Sequence, residues 1–394
     1  MEKKPFWLIG ALGILIVGLF TVGVVLAEKN PEQVKEIKSQ KVAGDIIEEV
    51  TPPQKIEEPV PEPMRSSHIQ TPEHVRALYV SAWVASTPSI RDSIIKLVDT
   101  TNINAVVIDI KDATGRVSFL IDDPIVSSTG APRDLIKNMK GLTELLHEKN
   151  IYIIGRISTF QDPYLTNIKP EWAIKSKSTG TTWKDKKGLS FLDPTNESVW
   201  EYVVHLAQAS YDIGFDEINF DYIRFPSDGN IRDIAYPTNI SSKADAMESF
   251  FKHLHEKMTV SGIPTSADLF GMTTTNSDDL GIGQVLEKAL PYFDFIAPMI
   301  YPSHYPPNYN GFKNPAEHPY EIVTIAMKKG IERAAALGMA PTKFRPWIQD
   351  FDLGAKYTES MVRDQIKALE DLGITSYMVW DPGNSYTVAA YDKE

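Results

Sequence analysis

The sequence predicts an α/β chain whose main body is a closed (β/α)8 TIM barrel, and three observations carry that reading. From residue 76 onward, short runs rich in Val, Ile, Phe and Tyr alternate with helical patterns, the mark of a parallel sheet covered by helices. Eight such alternations fit one barrel of about 250 residues with added loops better than an open doubly wound sheet. Several helical patterns end at glycine just before the next strand, as at Leu337-Gly338 and Leu372-Gly373, where a left-handed helix end is expected.

The elements follow in chain order. Residues 1–5 hold Lys3 and Lys4, which place this end on the cytoplasmic side of the apolar run 6–27. At ~1.5 Å per residue that run is long enough for a ~30 Å hydrocarbon core. Two readings stay open for it: a transmembrane anchor in the lipid bilayer, or a signal cleaved after Val25-Leu26-Ala27, which would leave a secreted protein. Both export the rest of the chain. Residues 28–75 are dominated by Glu, Lys and Pro and bury too little apolar surface to fold, so a disordered stalk is expected.

Barrel strands are expected at 77–84, 105–111, 151–158, 217–223, 264–270, 293–301, 344–350 and 376–381, within a domain 76–394. Helices are expected at 89–100, 134–149, 197–212, 243–259, 320–337 and 359–372. The long stretches after the third and sixth strands, rich in Pro, Tyr, Trp and Asn, suggest elaborated loops.

Composition removes several functions. The net charge is -12, with no basic stripe, so a nucleic-acid partner is not expected. The chain has no cysteine, which excludes disulfides, thiolate metal sites and a Cys nucleophile. His253 and His255 share a helix, but an i, i+2 pair does not share a face, so no metal site is expected there. No P-loop, nucleophile elbow or dinucleotide fingerprint is present, and no cofactor is expected.

The stretch 214–226, Gly-Phe-Asp-Glu-Ile-Asn-Phe-Asp-Tyr-Ile-Arg-Phe-Pro, says most about chemistry. Strand alternation turns Ile218, Phe220 and Tyr222 toward the helices, so Asn219 and Asp221 face the barrel interior. Barrel enzymes place their sites at the carboxyl ends of the strands, and polar residues close each strand here. They include Asp109 and Lys111 on the second strand, Arg156 on the third, Arg224 after the fourth, Asp268 on the fifth and Tyr301 with His304 on the sixth. Gln349 and Asp350 close the seventh, and Trp380 and Asp381 the eighth.

Cleaving a glycosidic bond needs two carboxyl groups, one donating a proton and one acting as nucleophile or as base for water, at ~5–9 Å separations. Asp221 and Asp268 end adjacent strands at matching depth and are the candidate catalytic pair. Arg156 is placed to stabilise a carboxylate, to bind a hydroxyl or to brace the barrel through an ion pair. Asp109, Lys111, Asn219, Arg224, Tyr301, Gln349, Asp350, Trp380 and Asp381 are candidate substrate ligands. Trp83, Tyr222, Tyr305 and Trp347 are further aromatics for stacking on sugar rings or for core packing.

With these residues in view, the chain resembles a glycoside hydrolase family of bacterial envelope proteins, distantly similar to the α-amylase superfamily. The likeness covers about 76–386. It rests on Val107-Ile108-Asp109-Ile110-Lys111-Asp112 with Gly115, on Asn219 through Pro226, on Ala297-Pro298-Met299-Ile300-Tyr301-Pro302 and on Trp380-Asp381. The resemblance implies a glycosidase barrel with Asp221 in the place of the superfamily's nucleophile; taken with the apolar run 6–27, the expectation is a single-pass protein of the bacterial cell membrane whose barrel lies outside the cytoplasm and acts on a polysaccharide. Asn219 stands where that superfamily carries Arg, and Asp268 where it carries Glu. A glycan-binding barrel without catalysis and a metal-dependent polysaccharide deacetylase are the alternatives.

Overall fold

Eight parallel strands close into one ring, in the order of the chain. They are β1 (Arg76–Val80), β2 (Ala105–Lys111), β3 (Tyr152–Ser158), β4 (Glu217–Asp221), β5 (Thr265–Phe270), β6 (Phe295–Met299), β7 (Trp347–Gln349) and β8 (Tyr377–Trp380). β8 pairs with β1 through Arg76–Tyr377, Ala77–Met378 and Leu78–Val379, which completes the closure. The structure is a computed structural model that describes residues 67–236 and 240–392. The apolar run 6–27 and most of the expected stalk lie outside the described residues. Among the described residues, no helix is long and apolar enough to cross a membrane.

Strand alternation sorts the side chains as period 2 demands. Ile153, Ile157, Ile218, Phe220 and Leu269 point outward into the main apolar core, under the helices. Ala77, Tyr79, Val107, Ile154, Trp347 and Met378 fill the interior. The helices that cover the ring include Pro88–Thr100, Met139–Glu148, Glu197–Ile213, Lys243–Ser261, Pro319–Ala335 and Glu359–Glu370. Gly155 shows how closely β3 meets its neighbours, since a Cβ there would lie 2.3 Å from Ile110 and 2.7 Å from Phe215.

The amino end of the barrel is sealed by charge as well as by apolar packing. Arg345 Nη1 donates to both carboxylate oxygens of Glu217 at 2.7 Å, and Ser266 and Tyr152 donate to the same carboxylate at 2.6 and 3.1 Å. Residues 67–75, expected to belong to the stalk, pack here instead. Ile69 donates its backbone N–H to Asp216, Thr71 meets the Tyr152 hydroxyl, and Val75 is fully buried. Apolar Ile69 and Val75 supply the burial that the Glu/Lys/Pro composition before them lacks.

Three further expectations are corrected. The first strand stops at Val80, because Ser81 caps a short helix, Ala82–Ser86, by accepting from Val84 N–H. The fourth stops at Asp221, because Tyr222 takes a left-handed φ of 52°. The helix expected from residue 134 begins at Met139, where Asn138 accepts from Gly141 N–H. The elaborated loop after β3 joins the loop after β4 in a small unit: strands Lys175–Ser176 and Ile234–Ala235 pair antiparallel over Ile174, Trp183, Phe191 and Ile234.

Candidate active site

Four strand ends converge at the carboxyl face. Paired Phe220 and Ala267 set the register between β4 and β5, so Asp221 and Asp268, one residue further on, stand side by side on adjacent strands. Arg156 reaches them from β3. Its Nη1 donates to Asp109 Oδ1 at 2.6 Å, while Nε and Nη2 donate to Asp221 Oδ2 at 3.1 and 2.5 Å. Tyr79 donates its hydroxyl to the other Asp109 oxygen at 2.6 Å. One guanidinium thus holds two carboxylates, the geometry for which Arg is better suited than Lys.

Asp268 lives in a different setting. Its Oδ1 accepts from Asn219 Nδ2 at 2.8 Å and from the Trp347 indole N–H at 2.7 Å, and no cation pairs with it among the described residues. Burial, and then the charge of Asp221, hold its carboxyl well above the ordinary value of 3.8. Burial also raises Asp109, even with Arg156 and Tyr79 beside it. Burial opposes the charge on Arg156, but Asp221 and Asp109 outweigh it and keep the guanidinium protonated.

These groups face a cavity of about 340 Å³, within the ~300–1,000 Å³ range of small-molecule sites. Arg156, Asp221, Asp268, Arg224, Tyr301, Trp347 and Trp380 line it, with Tyr222, Phe270, Met299, His304 and Tyr305 on its walls. Trp380 stacks on Tyr79 with ring centroids 4.0 Å apart and lies under the Arg156 guanidinium. At Gly271 a Cβ would come within 2.4 Å of the Met299 carbonyl and 2.8 Å of the Tyr305 hydroxyl, so only glycine lets this wall close. A carboxyl pushed toward its protonated form beside an Arg-held carboxylate is the division of labour that two-carboxylate hydrolysis uses.

The structure separates the sequence candidates into three groups. Asp221, Asp268, Arg156, Arg224, Tyr301 and Trp380 meet in the cavity, and Asp109 and Asn219 stand behind it, holding Arg156 and Asp268. Lys111, Gln349, Asp350 and Asp381 are placed elsewhere, which corrects their expected role. The register slips between Asp109 and Lys111, so Lys111 turns outward, fully buried, to Asp162 at 2.6 Å. Gln349 accepts from Ser303 and donates to Phe351, joining two loops. Asp350 accepts from Thr387 and Tyr391, tying down the last segment. Asp381 accepts the N–H groups of Gly383 and Ser385 in a local turn.

Of the aromatics, Trp83 is 61% exposed on the short helix after β1 and does not line the cavity. Tyr222, expected to face the helices, lines the cavity because its positive φ breaks the alternation. Sequence reasoning missed Tyr79, whose inward parity on β1 was a usable signal. It also missed Phe270 and Met299, which carry no polar group to draw notice.

Fold and cavity together define a barrel of the glycoside hydrolase class. Residues 77–386 match the family described as "Putative glycosyl hydrolase domain", and the chain belongs to that family. A hypothetical protein from Ruminiclostridium thermocellum ATCC 27405 is 35% identical over 48% of this chain and 96% of its own, with a TM-score of 0.45. The glycoside hydrolase domain of PgaB (BpsB) from Bordetella bronchiseptica is 14% identical, covering 82% of this chain and 99% of its own, with a TM-score of 0.58. The catalytic domain of β-amylase from Paenibacillus polymyxa is 9% identical over 82% and 96% of the two chains, with a TM-score of 0.53. At these low identities, the last two likenesses are of fold. No curated protein matches the chain.

Proposed function

We propose that this chain cleaves a cell-envelope or extracellular polysaccharide, with Asp268 donating the proton to the leaving oxygen and Asp221 acting as nucleophile or as base for water. One observation carries the reading: two neighbouring carboxyl groups face the same cavity, and only one of them is paired with a cation. The environment of Asp268 favours its protonated form, as a general acid requires, while Asp221 is ion-paired with Arg156. The aromatic walls suit the faces of sugar rings.

The apolar run 6–27 supports a membrane-tethered protein with its barrel outside the cytoplasm, and the Glu/Lys/Pro-rich segment after it supports a spacer that lets the barrel reach a polymer. Release of the full chain from membranes by detergent, but not by high salt or carbonate, is the expected fractionation result.

The test of the chemistry is reducing-end release from a panel of envelope polysaccharides by the parent chain, Asp221→Asn and Asp268→Asn. Both variants are expected to lose at least about 100-fold in kcat. Full turnover by either removes that residue from the mechanism. The Asp109–Arg156–Asp221 ion network favours a second reading, a barrel braced for binding alone; glycan binding with no cleavage in the parent chain would establish it.

A further inference from the structure

The cavity holds a second arginine, and its surroundings differ from those of every other buried guanidinium near the barrel axis. Arg156 pairs with Asp109 and Asp221, and Arg345 pairs with Glu217. Arg224 is only 9% exposed, yet it forms no ion pair among the described residues. Its hydrogen bonds all leave from Nη1, to the Phe225 carbonyl at 3.1 Å and the Ser227 hydroxyl at 3.2 Å, one and three residues on in the chain. Nε and Nη2 have no hydrogen-bond partner among the described residues. The guanidinium lies between two rings, 5.2 Å from the centroid of Tyr222 and 4.8 Å from that of Phe270.

The backbone places it there. If β4 ran on regularly past Asp221, residue 224 would share the outward face with Phe220 and Ile218. Tyr222 adopts φ 52°, a conformation that costs a residue with a Cβ about 1 kcal/mol or more. This kink sends Ile223 into the outer core and swings Arg224 to the cavity wall beside Asp221. A desolvated cation without a counter-ion is unfavourable, and two aromatic faces offset only part of that.

The cavity's other cation is already engaged: Arg156 is shared by Asp109 and Asp221, and burial pushes Asp268 toward its neutral form. Burial likewise works against the charge on Arg224, which Asp221 and Asp185 help to sustain. No carboxylate lies against the Arg224 fork in an ion pair among the described residues, and an anion on a ligand would engage it with the two-pronged geometry that guanidinium offers to carboxylate and phosphate.

We infer that Arg224 is a specificity-determining residue, and that the glycan this cavity takes carries an acidic substituent, a carboxylate or a phosphate, on the sugar next to the bond that meets Asp221 and Asp268. The inference rests on the hydrolase reading for its position, but not for its chemistry. Unlike Arg345, whose unpartnered nitrogens lie at the sealed end of the barrel, Arg224 lines the cavity, where the acidic group of a ligand can reach it.

The test is calorimetric titration of the full chain with matched pairs of oligosaccharides. One pair is a uronate tetrasaccharide and its carboxyl-reduced form; another is a lactyl-bearing muramyl tetrasaccharide and chitotetraose; a third is a glycerol-phosphate-bearing oligosaccharide and its dephosphorylated form. The three pairs separate carboxylate from phosphate as the source of charge. The parent chain is expected to favour the acidic member of at least one pair. Arg224→Met is expected to weaken that member roughly 10- to 100-fold more than its neutral counterpart, with Arg224→Lys in between and all three chains melting together. No acidic preference in any pair, or a preference that survives in Arg224→Met, overturns the inference. Cleavage of neutral glycans with Arg224→Met indifferent would overturn it and leave the hydrolase reading intact. Arg224-dependent acidic binding without cleavage would do the reverse.

Discussion

Arg156 grips Asp221 through two nitrogens on a single carboxylate oxygen, Nε at 3.1 Å and Nη2 at 2.5 Å. The other oxygen of Asp221 accepts the N–H of Tyr222 at 2.5 Å, the residue whose left-handed turn ends the strand. Each carboxylate oxygen offers two lone pairs: Arg156 takes both on Oδ2, and Oδ1 keeps one for the cavity. The ion pair orients the carboxylate without closing it off, because Asp221 still lines the cavity wall.

The same pair makes a stability prediction. Arg156→Met leaves two buried carboxylates, Asp109 and Asp221, without their cation, and breaking a buried pair from one side costs about 3–5 kcal/mol. Urea denaturation is expected to show a loss of that size together with near-complete loss of turnover. Arg156→Lys keeps the charge but not the fork, and is expected to fall between the two. Unchanged stability in Arg156→Met would mean that the network contributes little to folding.

Asp268 should leave its mark on the pH profile. Its carboxyl is held above the ordinary value of 3.8 by burial and by Asp221, so an acid role predicts activity lost as pH rises through the folded value. Folding also raises this pKa, so its contribution to stability is fully present below 3.8 and is lost as pH rises through the folded value. Asp268→Asn is expected to remove the basic limb of kcat/KM and to flatten this part of the stability profile. A basic limb that persists in the variant would assign it to another group.

Trp347 offers a finer probe of the same group. Its indole N–H donates to Asp268 Oδ1 at 2.7 Å, and a hydrogen bond to a carboxylate favours the charged form. Trp347→Phe removes the donor and keeps an aromatic ring. The basic limb is expected to move to higher pH, whereas a purely structural indole would lower activity equally at every pH.

Much of this was legible in the sequence because one-dimensional patterns encode it. Alternation along Glu217-Ile218-Asn219-Phe220-Asp221 fixes which side chains face inward, and adjacency of the fourth and fifth strands brings Asp221 to Asp268. What escaped depends on breaks in alternation. A shift of register after Asp109 turns Lys111 outward, and a left-handed Tyr222 turns Arg224 inward; neither residue is the glycine or asparagine that usually marks such a change. Asp350 and Asp381 end strands as expected, yet backbone and hydroxyl donors a few to some tens of residues downstream claim them, a pairing that no local spacing reveals.

The outward turn of Lys111 yields a prediction away from the cavity. Lys111 Nζ lies 2.6 Å from Asp162 Oδ2, both side chains fully buried, while Asp162 Oδ1 accepts from Leu165 N–H. Gly115 abuts the same carboxylate: a Cβ there would fall 1.9 Å from Asp162 Oδ1, at a φ of +86° that only glycine adopts without strain. Lys111→Met strands Asp162 in a setting where burial already raises its pKa, and should cost about 3–5 kcal/mol at neutral pH. Without the Lys charge that lowers it, Asp162 protonates more readily, so the cost should shrink as pH falls toward the carboxylate range. Adding Asp162→Asn, which keeps an acceptor for Leu165 and removes the charge, is expected to recover most of the loss. Denaturation of the single and double variants at two pH values checks this; a penalty independent of pH and unrelieved by the second substitution would place the role of Lys111 in its packing against Tyr202 rather than in its charge.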